Sequence, residues 1–379
     1  MADSYRASLF IMRHIRLFLI VFFSLFVQIA LCQHNLYVED LQGIEIVNIE
    51  NDGVKHYLED QTYDNPANTS KYSLSVVHKY TSGYSSKPNG KHISWQHYFP
   101  LEELMFITVT VSDNWTFPND RSKYYHLDVT ETEYTICNMI PDKTYYYKVE
   151  EFGLDGTSMT VAKGAFVTTG NLRMLRIEGM INIRDFGGWK TSLGNRTTYG
   201  RIYRGNRPDG ITYKGKNDFV ENEHLTADLD LRGKQLPESP FGPLNQVEYF
   251  CTNNARYKSA LVSRTDIFVK DFHFIADVLR RGGTVFLHCN HGANRAGTLS
   301  FLIGGMIGLS EADICRDYEL SAFAYKGMKR GSNIGDMISY IRTFGKLGDD
   351  LTKCFYNYFI HIGVEEEDIN TIRTTMTKN

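Results

Sequence analysis

Residues 284 to 300, TVFLHCNHGANRAGTLS, constrain the fold of this chain more than any other stretch. The apolar run Thr284 to Leu287 reads as a buried strand, and the stretch from Arg295 reads as the start of a helix. Gly292 and Gly297 let the backbone turn back on itself between and after them. A strand, a tight loop and a helix form an anion site, because loop N–H groups and the positive helix end converge on one point.

That unit belongs in an α/β domain, and the residues around it agree. Ile267, Phe268, Phe272, Ile275, Val278 and Leu279 recur at helical spacing and predict a helix that covers the sheet and leads into the strand. Ser310 followed by Asp313 resembles a capping box, opening a helix that runs through Tyr318. The predicted domain spans residues 171–379, and about 200 residues suffice for a full core.

Residues 33–170 read differently. They are rich in Tyr, Thr and Val, with alternating runs at His92 to Tyr98, Met105 to Val111, Tyr134 to Cys137 and Thr144 to Glu150, the pattern of an all-β sandwich. Residues 33 to 87 supply either an edge strand or a separate small element. In residues 1–32, Arg13, His14 and Arg16 precede Leu17 to Leu31, where only Ser24 and Gln28 are polar. This is shorter than the roughly 20 apolar residues of a membrane span and predicts a signal peptide. Ala30 and Cys32 occupy the −3 and −1 positions of a cleavage site, with lipid attachment at Cys32 as the alternative. Export to a periplasm or cell exterior is the expectation.

A net charge of −3 over 379 residues carries no basic excess, so no nucleic-acid partner is expected. Without Cys32 the cysteines are Cys137, Cys251, Cys289, Cys315 and Cys354, an odd and scattered set that suggests no disulfide framework. No paired metal-ligand spacing occurs, so neither a metal nor another cofactor is expected.

Cys289 and Arg295 stand five residues apart in HCNHGANRAG. Loop N–H donors, a helix N-terminus and a guanidinium all favour a reactive thiolate at Cys289. Arg295 can grip two oxygens of a phosphate at once. Asn290, His291, Gly292, Ala293 and Asn294 would wrap the bound phosphate, and His288 would fix the loop by hydrogen bonds.

This spacing is the signature of the cysteine-dependent phosphatases. MINIRDFGGWKT (180–191), GRIYRG (200–205), DLDLRG (228–233), DYELS (317–321) and GVEEEDINTIRTTM (363–376) resemble, in order, motifs of the bacterial tyrosine and lipid phosphatase family within the protein tyrosine phosphatase superfamily. The resemblance implies a mostly parallel central sheet flanked by helices. It also implies metal-free hydrolysis of phosphotyrosine, or of other phosphoproteins or phosphoinositides. Asp185, Arg204, Asp230 and Arg232 fall within these motifs, where a structural hydrogen-bonding role is at least as good a reading. Upstream, MIPDKTYYYKV resembles a fibronectin type III domain, with Met139, Pro141 and Tyr145 in the pattern positions and Trp95 as the core tryptophan. Such a sandwich would be a spacer or a surface for protein or glycan contacts.

Three positions depart from the phosphatase family, whose loop carries Lys-Asp before the arginine and Thr after it. Here Ala293, Asn294 and Ala296 stand instead. Asn294 cannot donate a proton as an acid, and Ala296 has no hydroxyl for the leaving thiolate. The stretch HCNHGANR also resembles the loop of RNA 5′-triphosphatases, which cleave phosphoanhydrides. If an acid exists, Asp271 and Asp266 of the predicted helix are the candidates. The expected substrate is a phosphorylated protein or a small phosphate ester. Inositol phosphates, phosphoinositides, phosphoanhydrides, or phosphate binding with little turnover remain as alternatives.

Overall fold

The leader expected over residues 1–32, Cys32 included, lies outside the described part of the computed structural model, which covers residues 44–65, 72, 76–192, 194–242, 247–325 and 331–378. The chain divides into two compact units. Trp95–Glu131 and Thr144–Val167, with Ile44 and Glu45, make the first; the described residues of Ile46–Ser94, Thr132–Lys143 and Thr168 onward make the second.

The first strand, β1 (Glu45–Asn48), opens the described chain. In the first unit β3 (Leu104–Ser112), β4 (Ser122–Leu127), β6 (Thr144–Gly153) and β7 (Ser158–Thr169) pair antiparallel in the order β7-β6-β3-β4. Cross-strand partners set the register: Val109 lies opposite both Tyr125 and Val149, and all three are buried. Glu151 of β6 is wholly buried, and it accepts hydrogen bonds from the Tyr98 and Phe99 amides at 2.9 and 3.2 Å, with His97 Nδ1 2.7 Å away. The runs expected to be strands at Met105–Val111 and Thr144–Glu150 lie within β3 and β6.

The second unit contains the ladder of β2 (Lys91–Ser94) with β5 (Glu133–Ile136) and a six-stranded sheet. That sheet joins β8 (Met174–Leu175), β9 (Ile183–Asp185), β10 (Ile202–Gly205), β11 (Ala227–Asp230), β12 (Glu248–Cys251) and β13 (Val285–His288) in the order β12-β11-β13-β10-β9-β8. The first four neighbours run parallel, and β9 and β8 close one edge antiparallel. A parallel sheet needs both faces covered. Val285 and Leu287 accordingly enter one apolar core and Phe286 another, with Tyr203, Phe219 and Phe241.

Helices α1 (Asp52–Glu59), α2 (Tyr257–Ser263), α3 (Thr265–Arg280), α4 (Arg295–Met306), α5 (Glu311–Glu319), α6 (Gly331–Arg342), α7 (Leu351–Ile362) and α8 (Glu366–Thr377) surround this sheet in the chain. The expected helix at 267–279 is α3, and the Ser310 cap of α5 accepts the Asp313 amide at 3.0 Å. The run from Lys91 to Ser94 that was read with the sandwich belongs to this unit, and so does, of the segment left open by the sequence, residues 33 to 87, the part from Ile46 on. Its helix α1 is capped by Asn51, which accepts from the Val54 amide at 3.0 Å, and its Val54, Tyr57, Tyr63, Val76 and Val77 join the core of Leu287 and Leu299. Tyr57 donates towards Glu319 at 3.4 Å, and Asp64 pairs with Arg316. Among the described residues no helix is long and apolar enough to cross a membrane.

Candidate active site

β13 ends at His288, the loop runs from Cys289 to Asn294, and Arg295 begins α4. Gly292 makes the turn: its φ is +65°, and a Cβ there would lie 2.2 Å from the Gly205 carbonyl oxygen. Only glycine allows β10 and the loop to approach so closely. Gly297 was expected to assist the turn, but it sits in the buried first turn of α4. The helix supplies the backbone conformation there.

Charged side chains from distant segments hold the loop. Arg204 of β10 donates to the Gly292 carbonyl at 2.9 Å and to Asp317 Oδ2 at 2.5 Å. Arg184 of β9 donates to Asp317 Oδ1 at 3.0 Å and to Asn182 Oδ1 at 3.0 Å. Asn182 in turn donates to the His291 carbonyl at 2.9 Å and to Ser321 at 3.2 Å. Burial, reinforced by the neighbouring Arg184 charge, lowers the Arg204 pKa to about 10 despite Asp317. Loop carbonyls that point backwards into these donors leave the amide side of the loop for an anion.

His288 is wholly buried, stacks on Phe286 and stands 3.0 Å from Asp228 Oδ1, while its own carbonyl accepts from the Leu231 amide at 2.9 Å. The hydrogen bond that ties His288 is thus its backbone carbonyl's, since neither ring nitrogen has a hydrogen-bond partner among the described residues, contrary to the expectation that the side chain fixes the loop by hydrogen bonds. Asp185 accepts from the Gly187 and Gly200 amides at 2.8 Å each and pairs with Arg173. Asp230 receives Arg232, which also reaches Asp209. Of Asp185, Arg204, Asp230 and Arg232, Arg204 is the one that hydrogen-bonds the loop among the described residues.

A cavity of about 80 Å3 is lined by Cys289, Asn290, His291, Asn294, Arg295 and Arg256. Gly292 and Ala293 complete the loop but are not among the lining residues; Ala293 is wholly buried. Among the described residues Arg295 makes one hydrogen bond to the protein, to the Leu231 carbonyl at 3.3 Å. Asn294 Oδ1 is buried without a hydrogen-bond partner. A second cleft of about 340 Å3, lined by Asn206, Arg207, Asn290, His291 and Tyr325, shares two residues with the first. The Tyr325 ring meets His291 edge-on, and burial pushes its phenol up to about 12.

Neither candidate acid lines the cavity. Asp266 is exposed in the first turn of α3. Asp271 is wholly buried, accepting from Thr252 Oγ1 at 2.8 Å and Asn254 Nδ2 at 2.7 Å, and burial raises its carboxyl to about 7. Among the described residues no carboxylate lines the cavity, and a second guanidinium, Arg256, does, which spacing around Cys289 could not have revealed. Arg256 lies 33 positions upstream, so its only sequence signal is a cation in the loop after β12.

Two arginines, a thiol and a helix N-terminus around a phosphate-sized space suit nucleophilic attack on a phosphoryl group without a metal. A family comparison agrees with that chemistry. A family model described as "Tyrosine phosphatase family" matches residues 175–378. Among solved structures, the core catalytic domain of the PP-IP phosphatase SIW14 from S. cerevisiae, in complex with citrate, is 19% identical, over 39% of this chain and 90% of that one, with a TM-score of 0.30. TpbA of P. aeruginosa is 14% identical over 45% of this chain and 96% of that one, with a TM-score of 0.29. No curated protein matches significantly. The family match takes in β8 to β13, the loop and every helix from α2 to α8. The chain belongs to the tyrosine phosphatase family, and it is a phosphoric monoester hydrolase of the cysteine phosphatase kind.

Proposed function

We propose that Cys289 is the nucleophile and Arg295 the phosphate clamp of a phosphatase acting on aryl phosphate monoesters, phosphotyrosine in proteins above all. The cavity that Cys289 and Arg295 line at the start of α4 carries this reading. The Cys289 thiolate attacks phosphorus, an S–P bond forms, and the P–O bond to the leaving group breaks with its electron pair on that oxygen. Water then attacks phosphorus, the S–P bond breaks, and thiolate and inorganic phosphate result. Amides of Asn290 to Asn294 and the Arg295 guanidinium hold the equatorial oxygens throughout. The cleft bearing Tyr325 and His291 supports an aromatic group beside the phosphate, since rings pack edge-on at such walls.

A second reading, cleavage of phosphoanhydrides, is favoured by the cavity's lack of a carboxyl group and its extra cation. A phosphate leaving group needs no proton, whereas a phenol of pKa about 10 gains from one. Residues 1–32 direct export, with cleavage or lipid attachment at Cys32, and the β-rich N-terminal part is fibronectin type III-like, contacting protein or glycan.

An activity panel under reducing conditions, comparing phosphotyrosine peptide, phosphoserine peptide, inositol phosphates and triphosphates, tests the substrate. Phosphotyrosine peptide should have the highest kcat/KM; a triphosphate in first place would establish the second reading instead.

A further inference from the structure

The loop from Cys289 to Arg295 brings one cation of its own to the cavity, yet two guanidiniums line it. The second, Arg256, comes from the segment between β12 and α2. That segment is short and held at every turn. The Thr252 amide bonds the Asp230 carbonyl at 2.9 Å, and Asn253 bridges to Arg232. The side chains of Thr252 and Asn254 both donate to the buried Asp271 carboxyl. Tyr257, next to Arg256, has a φ of +61° and donates its amide at 2.8 Å to Thr298 Oγ1 in α4, which donates at 3.0 Å to the carbonyl of Asn294.

A tyrosine in the left-handed region is unfavourable and persists where surroundings dictate it. Here both ends of the strained turn are tied, one to α3 through Asp271 and the other to the phosphate loop through Thr298. Between the ties sits Arg256, exposed, its guanidinium over the Tyr257 ring at 5.7 Å and with no ion-pair partner among the described residues. The backbone that carries it is tied on both sides, and its side chain lines the cavity.

We infer that Arg256 is a second substrate-binding cation, gripping phosphate oxygens that Arg295 leaves free, and that Asp271 is its positioning residue, acting through Thr252 and Asn254. The inference rests on the cavity being the phosphate site. It assigns Asp271 a part in phosphate binding and removes it from the candidates for general acid.

Arg256→Ala and Arg256→Lys alter an exposed side chain, so both should fold and melt like the unaltered protein. Inhibition by inorganic phosphate and KM should each worsen about tenfold or more in Arg256→Ala, the loss expected of a charge-assisted hydrogen bond, with partial rescue by lysine. Asp271→Asn should weaken phosphate binding in the unaltered background and add nothing to Arg256→Ala, because it acts through that arginine. Should Asp271→Asn not fold, Thr252→Val, which removes one of the two ties, takes its place in the cycle. Phosphate inhibition and KM within twofold of normal in Arg256→Ala would overturn the role of Arg256. Equal, additive losses from Asp271→Asn in both backgrounds would make Asp271 structural only. Failure of the unaltered protein to bind inorganic phosphate or vanadate would instead overturn the reading of the cavity on which this rests.

Discussion

Asn294 sits immediately before Arg295, lines the cavity, and can give no proton. Among the described residues that line the cavity there is no carboxyl group, Asp266 and Asp271 included, so the proposed first step has no carboxylic acid to protonate the leaving oxygen. The rate of the first step should therefore rise steeply as leaving-group pKa falls, and nitrophenyl phosphate should be cleaved much faster than alkyl phosphates. Asn294→Asp should raise single-turnover rates on poor leaving groups by about tenfold or more, at the low end of what a general acid contributes, and hardly change good ones. A flat dependence in the unaltered enzyme would show that a proton donor is present. At this scale the sequence was legible where residues are neighbours along the chain: Cys289, Arg295 and Asn294. Asn182 and Arg184 on one segment and Asp317 on another support the loop through space, and Arg256 lines the cavity from a third; local spacing carries no trace of that. The departure at Asn294 was visible; the absence of any replacement acid was not.

Helix α3 reads clearly in the sequence, and so does the oddity of a carboxylate among its apolar positions. The oddity came from a tie to the neighbouring loop, which no periodicity encodes. Its consequence is a pH dependence. Asp271 titrates at about 7 in the folded chain because burial disfavours its charge, against about 4 when unfolded. Folding thus takes up a proton between those values. The stability this contributes is fully present below about pH 4 and is lost as pH rises to about 7. Thermal melts of the unaltered protein and of Asp271→Asn should show the former's relative stability falling across that range and level above it. A difference that stays constant from pH 4 to 7 would contradict the account. Gly292 offers the converse case, a glycine whose need was read from the loop but whose reason, the Gly205 carbonyl behind it, lies on another strand.

In the whole molecule, the catalytic unit reaches further back along the chain than its motifs do. Family-like motifs begin near residue 180, yet Val54, Tyr57, Val76 and Val77 help to fill the same core as the strand before Cys289. These residues lie in a short capped helix and a 3-10 turn amid polar sequence, too few to display a period. Tyr57→Ala should cost about 3–5 kcal/mol, as for a buried aromatic, and lower the melting temperature of the catalytic unit. Unchanged melting would mean that residues 46–94 are dispensable to it. The same folded unit should turn over substrate through one covalent intermediate, and this is tested most directly by quenching the reaction in acid during steady turnover and mapping the phosphate by mass spectrometry. The account predicts phosphate on Cys289, absent from Cys289→Ser, which should fold and bind vanadate but hydrolyse nothing. Phosphate on another residue, or sustained hydrolysis by Cys289→Ser, would contradict it.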